Sequence, residues 1–199
     1  MFDLTKLCKN RNVWITSDIH AFHKGICRGT SHWDDKSSCR DFDTIEQMND
    51  TIFNNINKVV NPDDILIHLG DFAFGGRENV ISARKRIDCS NLITLYGNHN
   101  SGMRDDEELQ KLFLWAGDYL EFTFEKTFIC CFHYPLLTWN GMGRNSICLT
   151  GHEHTKRNLF NRGKTMDVGM DSNFYNVYNL SEILLIMSKI KTNDVHHSL

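Results

Sequence analysis

The sequence lacks long runs of hydrophobic residues. Its 199 residues include no apolar stretch of the roughly 18 residues that a membrane-spanning helix needs. Residues 1–12 also lack the apolar core and the small-residue cleavage site of a secretory signal peptide. These two absences predict a soluble protein that makes no contact with membranes. They favour the cytoplasm as its location, which is the host cytoplasm if a phage encodes the chain.

The sequence also lacks an excess of positive charge and any CxxC cysteine pair. A net charge of −3 provides no overall attraction for nucleic acid, and the basic run from Arg84 to Arg86 is interpreted as a solvated helix face. The seven cysteines are an odd number and lie mostly in or beside apolar runs. They are predicted to be reduced and buried, without disulfides or a thiolate metal site.

Length and composition are those of one ordinary globular domain. With 199 residues, of which 41% are hydrophobic, the chain can bury a substantial core without disulfides. Internal repeats, low-complexity tracts and linkers are not evident in the sequence. Residues 1–199 are therefore predicted to form a single domain.

Eight short runs rich in Val, Ile, Phe, Tyr and Thr predict β-strands. These runs are residues 12–16, 63–69, 91–96, 119–124, 126–132, 146–150, 165–170 and 175–180. Apolar residues at three-to-four spacing predict helices at 42–60, 78–87, 105–116 and 181–190. Asp41 or Asp43 is the predicted N-cap of the first helix. The order of elements predicts a mixed sheet, or two stacked sheets, with helices outside.

The residues that end these predicted strands carry the functional signal. Three apolar runs end in Ser or Gly followed by polar groups that bind metals, and two later runs end in histidines. The endings are SDIH with Asp18 and His20, LGDF with Asp71, GNHN with Asn98 and His99, FHYP with His133, and GHEH with His152 and His154. Since ligands of open α/β sheets bind beyond the carboxyl ends of strands, these side chains are predicted to converge.

A cluster of Asp, Asn and His without Cys suits one or two divalent ions such as Mn²⁺, Fe²⁺, Zn²⁺ or Ni²⁺. Two ions about 3.5–4 Å apart convert a water to hydroxide near neutral pH and hold a phosphoryl group for in-line displacement. Asp71 is the predicted bridge, because a carboxylate has two oxygens and Gly70 lets the backbone approach closely. Each ending alone also fits an ordinary turn or a structural histidine, which is how His68 is interpreted. Their joint occurrence favours a metal site.

As an ordered set, the five endings resemble the motifs of the calcineurin-like metallophosphoesterase superfamily, DxH, GD, GNH, a lone His and GHxH. The resemblance spans residues 17–154. The segments SDIHAFHK, NPDDILIHLGDFAFG, HYPLLTWNG and DVGMD look more narrowly like the small single-domain metallophosphoesterases of bacteria and phages. The resemblance implies an α/β fold, a four-layer α/β/β/α sandwich with two mixed sheets.

The resemblance also implies a role for each matching residue. The implied ligands are Asp18, His20 and His154 for the first ion, Asp71 as the bridge, and Asn98, His133 and His152 for the second ion. His99 would contact the phosphate and protonate the leaving-group oxygen, which suits a histidine that titrates near the working pH.

The sequence departs from the family pattern at two positions. Asn100 stands where the family usually has Asp or Glu after GNH, so a carboxylate that would orient His99 or raise its pKa is absent there. Phe74 stands where the phosphoprotein-phosphatase branch has the second Asp of GDxVDRG. A protein phosphatase is therefore the weaker interpretation.

Substrate recognition has less support in the sequence. The stretch HYPLLTWNGMGRNS offers Trp139 for stacking on a base, Asn140 for hydrogen bonding and Arg144 for a phosphate oxygen. An equally favoured alternative is that Trp139 packs this loop against the sheet. His23 and Arg28 are further candidates for phosphate contact, although an ordinary surface position is the favoured interpretation of both.

Together these features predict a metal-dependent hydrolase of a small phosphodiester or phosphomonoester, with nucleotides or cyclic nucleotides favoured as substrates. The expected cofactors are two divalent ions, with Mn²⁺ ahead of Fe²⁺, Zn²⁺ and Ni²⁺. A DNA or RNA nuclease is an alternative, ranked lower because a basic groove is not evident. A non-catalytic scaffold is another alternative, ranked lower because the whole ligand set is present. Formation of a homo-oligomer is left open.

Overall fold

The computed structural model describes residues 3–99, 101–155 and 163–192 and contains two β-sheets with helices. The strands are β1 (Val13–Thr16), β2 (Ile65–His68), β3 (Asn91–Leu95), β4 (Trp115–Gly117), β5 (Tyr119–Phe124), β6 (Thr127–Phe132), β7 (Ile147–Thr150), β8 (Thr165–Asp167) and β9 (Tyr178–Asn179). The helices are α1 (Leu4–Leu7), α2 (Ile45–Val59), α3 (Arg77–Lys85), α4 (Ser101–Arg104), α5 (Glu107–Gln110) and α6 (Leu180–Ser188). Among the described helices, none has the length and apolar character to cross a membrane.

Both sheets are mixed, as predicted. The first has strand order β4-β3-β2-β1-β9, in which β9 is antiparallel to β1 and the other pairs are parallel. The second has strand order β5-β6-β7-β8, in which β5 and β6 are antiparallel and the other pairs are parallel. Main-chain bonds join the sheets where β1 and β8 end, since Ser17 N–H donates to the Val168 carbonyl at 3.1 Å and Met170 N–H donates to the Ser17 carbonyl at 3.0 Å.

The first sheet is covered on its outer face by α2 and α3. Ile52, Ile56 and Ala83 of these helices pack in one buried cluster with Leu66 and Leu92 of the sheet. The next residues along the strands point the other way, because side chains alternate between the faces of a strand. Together with residues of β5, β6, β7 and α6, these side chains form the interior between the sheets. Members of this second cluster are Ile15, Ile65, Ile67, Ile93, Phe122, Ile129, Leu149 and Ile183.

The outer face of the second sheet carries the fourth layer of the sandwich. Cys130 and Cys148 of this face pack against Trp139 and Met142 of the loop after β6. Within the described ranges this layer is a loop with a 3-10 turn, Met142–Arg144, rather than an α-helix. The predicted sandwich is therefore confirmed, with one layer built from loop. All seven cysteines are free and buried, also as predicted.

The start of α2 differs from the prediction. Its N-cap is Thr44, and not Asp41 or Asp43. The Thr44 side chain accepts from Gln47 N–H at 3.1 Å, and the Gln47 side chain accepts from Thr44 N–H at 3.3 Å. This is a capping box, which satisfies two backbone donors at once and so outcompetes a single aspartate.

The helix predicted at 105–116 is wrong beyond its first turn. Asp106 caps α5, which contains only Glu107–Gln110, and the following residues turn back to pair as β4. Trp115 is in register with Ile93, at the edge of the first sheet. Pairing with a buried parallel strand satisfies the backbone of this segment, and tertiary context overrides its helical pattern.

Candidate metal centre

The predicted site residues follow the carboxyl ends of parallel strands in both sheets. Asp18 and His20 follow β1, Asp71 follows β2, Asn98 and His99 follow β3, His133 follows β6, and His152 and His154 follow β7. The loops after β1 and β2 continue the parallel pairing beyond the strands, because His20 N–H donates to the Asp71 carbonyl at 2.9 Å. Gly151 N–H likewise donates to the His133 carbonyl at 2.9 Å. The structure brings the seven predicted ligands and His99 together.

Five of these ligands have a left-handed backbone. The φ values are 57° for Asp18, 50° for His20, 58° for Asp71, 73° for His152 and 49° for His154. A non-glycine residue in this region costs on the order of 1–3 kcal/mol and persists only where the surrounding structure enforces it. Such strain concentrates at functional sites, and here it falls on the residues that the motifs identify.

Glycines before the ligands allow the loops to pack closely on the carboxylates. A Cβ on Gly97 would overlap Asp71 Oδ1, and a Cβ on Gly151 would overlap Asp18 Oδ2. The glycines of GNHN and GHEH are thus required by close approach to the two aspartates of the site.

The two buried aspartates use their oxygens in the same way. Asp18 Oδ2 accepts from His152 N–H at 2.9 Å, and Asp71 Oδ1 accepts from His99 N–H at 2.8 Å. The other oxygen of each faces the histidines, and Asp18 Oδ1 is buried without a hydrogen-bond partner among the described residues. Asp71 Oδ2 lies 3.5 Å from His20 Nε2 and 3.5 Å from His133 Nε2.

One half of the centre consists of Asp18, His20 and His154. We call it the backed half, because a buried ion pair lies behind His154. His20 Nε2 lies 3.6 Å from Asp18 Oδ1 and 3.1 Å from His154 Nε2. Behind it, His154 Nδ1 donates to Asp171 Oδ2 at 2.8 Å. Arg40, which is only 2% exposed, donates to both oxygens of Asp171 and to the Asp18 carbonyl. A buried guanidinium therefore joins the loop after β1 to the loop after β8.

The open half consists of Asn98, His133 and His152. Asn98 Oδ1 lies 3.0 Å from His133 Nε2 and 3.0 Å from His152 Nδ1. His133 is buried and donates from Nδ1 to the Leu69 carbonyl at 2.9 Å, whereas Asn98 and His152 are exposed. The ring of Tyr134 lies edge to face with His152, with centroids 4.7 Å apart.

Burial and charge act against each other on the ionisable groups. Burial alone would raise the pKa of Asp18 and Asp71, but nearby imidazoles outweigh it and hold both pKa values below their usual range. Burial lowers the pKa of His133, yet the Asp71 and Asp18 carboxylates raise it overall. The pKa of His23 falls to about 4, chiefly through burial and then through neighbouring His20 and His99.

The arrangement of donors fits divalent metal ions. Candidate groups of atoms within 4.8 Å of one another are Asp18, His20 and His154 in one case and Asp18, Asp71 and His133 in the other. Because carbonyl and carboxylate oxygens only accept, the Nδ1 atoms of His133 and His154 carry protons, so the Nε2 atom of each ring is left as the ligand atom facing the centre. The unpartnered Asp18 Oδ1 faces the same point. A cation would satisfy all of these lone pairs.

His99 lies at the exposed side of this centre. Its ring centroid is 5.3 Å from that of His20, 5.9 Å from that of His23 and 5.6 Å from that of Phe74. His23 is thus a neighbour of the site, in contrast to the surface position that the sequence favoured for it. Asn100, the departure from the family pattern, lies outside the described residues.

The other predicted substrate-binding residues in this region are Trp139, Asn140 and Arg144, and their contacts are of a different kind. Trp139 is buried, and its indole N–H lies 3.4 Å from the Ser146 carbonyl, which fits the packing alternative. Asn140 donates to Glu121, and Arg144 is exposed in the 3-10 turn. Within the described residues, their contacts do not include a histidine of the centre.

The contacts of Arg28 and His68 likewise do not support a role in the site. Arg28 pairs with Asp41 at 3.2 Å, both side chains being exposed, which is the surface position favoured by the sequence. His68 is fully buried, and its Nδ1 accepts from Gly70 N–H at 3.3 Å. Among the described residues its Nε2 has no hydrogen-bond partner, and its buried position fits the interpretation as a structural histidine.

Arg40 and Asp171 are the residues that the sequence interpretation missed. Asp171 ends the segment DVGMD, which was quoted without a role, and a carboxylate behind a ligating histidine is a common arrangement at metal sites. That signal was available. Arg40 had none, because only the folded chain brings it to Asp171, 131 residues away.

A sequence profile of the calcineurin-like phosphoesterase family matches residues 11–189, a range that contains every predicted ligand. The chain belongs to this family. The resemblance that the ordered motifs indicated is thereby confirmed.

Individual relatives of this calcineurin-like phosphoesterase are distant. An uncharacterized protein of Methanocaldococcus jannaschii is 29% identical over 92 residues, which are 45% of this chain and 47% of that protein. The match thus spans about half the length of this curated relative. A crystal structure of a protein of unknown function from Aquifex aeolicus, 21% identical, aligns over 89% of this chain and 100% of that chain with a TM-score of 0.65. That likeness supports the two-sheet fold.

An archaeal phosphodiesterase of known structure is more remote. It is 15% identical and aligns over 79% of this chain and 83% of that chain, with a TM-score of 0.48. At that level the likeness supports no statement about this chain.

Proposed function

We propose that this chain hydrolyses small phosphodiesters or phosphomonoesters, with nucleotides or cyclic nucleotides as the favoured class, at a centre that holds two divalent metal ions. Mn²⁺ is the favoured ion, and Fe²⁺, Zn²⁺ and Ni²⁺ are alternatives. The observation that carries the proposal is the position of Asp71 Oδ2, which lies 3.5 Å from a histidine of each half.

Each half of the centre would hold one ion. The ligands are Asp18, His20 and His154 in the backed half and Asn98, His133 and His152 in the open half, with Asp71 shared. Its Oδ1 accepts from His99 N–H, and its Oδ2 faces a histidine of each half. When bound, the ions supply Lewis-acid chemistry that lowers the pKa of water and neutralises charge on the phosphoryl group.

His99 is the proposed proton donor. Its backbone N–H donates to Asp71 Oδ1, and its side chain is exposed, so an incoming ester could reach the ring. As water adds to phosphorus and the ester P–O bond breaks, His99 would give its proton to the departing alcohol oxygen. This hydrogen bond to Asp71 fixes the main chain of His99 and so positions its ring. Asp71 would therefore serve both the proposed acid and the proposed metal site.

The direct test is hydrolysis by the Mn²⁺-loaded protein. Bis-p-nitrophenyl phosphate and p-nitrophenyl phosphate report diesterase and monoesterase activity, and the His99→Ala variant should lose about 10²–10⁴-fold in kcat on esters of alkyl alcohols. The loss should be smaller on p-nitrophenyl esters, because p-nitrophenolate departs without a proton. A structural role of His99 would lower both alike.

The matched control is His32→Ala, which removes an exposed histidine that is neither a proposed ligand nor the proposed acid, and this variant should retain full activity. Absence of turnover by the wild-type protein across Mn²⁺, Fe²⁺, Zn²⁺ and Ni²⁺ would contradict the proposed function.

A further inference from the structure

We propose that His23, Trp33 and Phe74 form an aromatic subsite that stacks on the base of a nucleoside leaving group beside His99. This inference rests on the proposed function and deepens it, because it names the part of the substrate that the chain selects. Base stacking is therefore assigned to rings in the loops after β1 and β2. It is not assigned to Trp139, which is buried against the second sheet.

The three rings are close enough to act as one surface. The centroids of His23 and Phe74 are 4.1 Å apart at an interplanar angle of 31°, close to a stacked pair. Trp33 is the second aromatic neighbour of His23, and the centroids of these two rings are 6.3 Å apart at an interplanar angle of 65°. Gly25 lies beside both rings, since a Cβ there would make ordinary contact with His23 at 3.4 Å and Trp33 at 3.8 Å.

The backbone holds two of these rings in place. Past the ends of β1 and β2, Ala21 N–H donates to the Phe72 carbonyl at 3.1 Å, and Phe74 N–H donates to the Ala21 carbonyl at 2.8 Å. His23 N–H then donates to the His20 carbonyl at 3.1 Å. The same ladder that positions the ligand His20 therefore positions His23 and Phe74.

The rings remain available to a ligand. Trp33 is 44% exposed and Phe74 is 37% exposed, although both are large apolar side chains next to a polar centre. A planar base would cover this apolar surface and stack on it, which is worth about 1–3 kcal/mol per base at aromatic platforms in other proteins.

The position beside His99 indicates which part of the substrate the subsite takes. His99 is 5.6 Å from Phe74 and 5.9 Å from His23 between ring centroids, and it is the proposed donor to the departing oxygen. The group that leaves with that proton is therefore the group that meets the rings.

A pair of substrates that differ only in the base tests this subsite. AMP and ribose 5-phosphate have the same 5′ alcohol, and their 5′-methyl phosphodiesters extend the comparison to diesters. The base should raise kcat/KM by about tenfold. Phe74→Ala should reduce this ratio to near one, and Phe74→Tyr should retain the ratio.

Two results would overturn the subsite. In one, Phe74→Ala lowers kcat/KM for both substrates by the same factor, which would make Phe74 a structural support for His99. In the other, the wild-type protein shows no preference for the substrate with a base.

Binding separates this inference from the proposed function. In the Zn²⁺-loaded protein, AMP should change the fluorescence of Trp33, ribose 5-phosphate should not, and the change should vanish in Trp33→Phe. If the wild-type protein hydrolyses neither compound but shows this difference, the proposed function fails and the subsite stands. If AMP leaves Trp33 unaffected, the subsite is overturned whether or not the ester is hydrolysed.

Discussion

The two halves of the candidate metal centre are held in different ways. In the backed half, the proposed ligand His154 donates to Asp171, and Asp171 pairs with Arg40, so a buried ion pair holds His154 from behind. In the open half, His133 rests on a backbone carbonyl, and its companions Asn98 and His152 are exposed. A carboxylate partner orients an imidazole and raises its basicity more than a carbonyl does. The two ions should therefore bind with unequal affinity, more tightly in the backed half.

The largest effect should come from breaking the buried pair. Arg40→Met leaves Asp171 buried without its cation and should lower the free energy of unfolding by about 3–5 kcal/mol. Arg28→Ala is the matched control, because it removes an exposed ion pair with Asp41 and should cost less than about 1 kcal/mol. Chemical denaturation of the metal-free proteins measures both. Equal losses in the two variants would show that Arg40 does not support the backed half.

The second prediction separates the halves by their metal affinity. Asp171→Asn should weaken one of two binding events by about 10–100-fold, because it removes the carboxylate behind His154. Asn98→Ala should weaken the other event, since it removes a ligand of the open half. Titration calorimetry with Mn²⁺ resolves the two events. The comparison fails if both substitutions weaken the same event.

A smaller effect should appear in the dependence of stability on pH. Burial alone would raise the pKa of Asp171, but Arg40 and His154 lower it by a larger amount. Its pKa in the folded chain therefore lies below the ordinary value. Its carboxylate therefore adds stability above the ordinary pKa of about 3.9, and this contribution is lost as the pH falls toward the folded value.

This effect is measured as the stability difference between the wild-type protein and Asp171→Asn, without metal. The difference should shrink as the pH is lowered from about 5 to about 3. A difference that grows on acidification would contradict the assignment of Asp171 as a paired carboxylate.

The sequence predicted the parts of this molecule that local pattern determines. Strands with apolar runs, such as Tyr119–Phe124, lie where they were expected, and the motif residues at strand ends converge. The capping box of Thr44 and Gln47 was visible in the sequence as a local pattern and was overlooked.

What the sequence did not predict depends on contacts between distant residues. β4 is a strand because Trp115 pairs with Ile93, and this pairing overrides a helical pattern. Arg40 supports the centre because the fold brings it to Asp171. Trp139 is buried against Cys130 and Cys148 of the second sheet, and composition alone does not decide between such packing and ligand binding.

Anomalous diffraction from crystals of the Mn²⁺-loaded protein tests the central claim most directly. Two ions about 3.5–4 Å apart are expected, as in two-metal phosphoesterase chemistry. One ion should contact Asp18, His20 and His154, the other should contact Asn98, His133 and His152, and Asp71 Oδ2 should contact both. A single ion in the cluster, or two ions that do not share Asp71, would contradict the proposed centre.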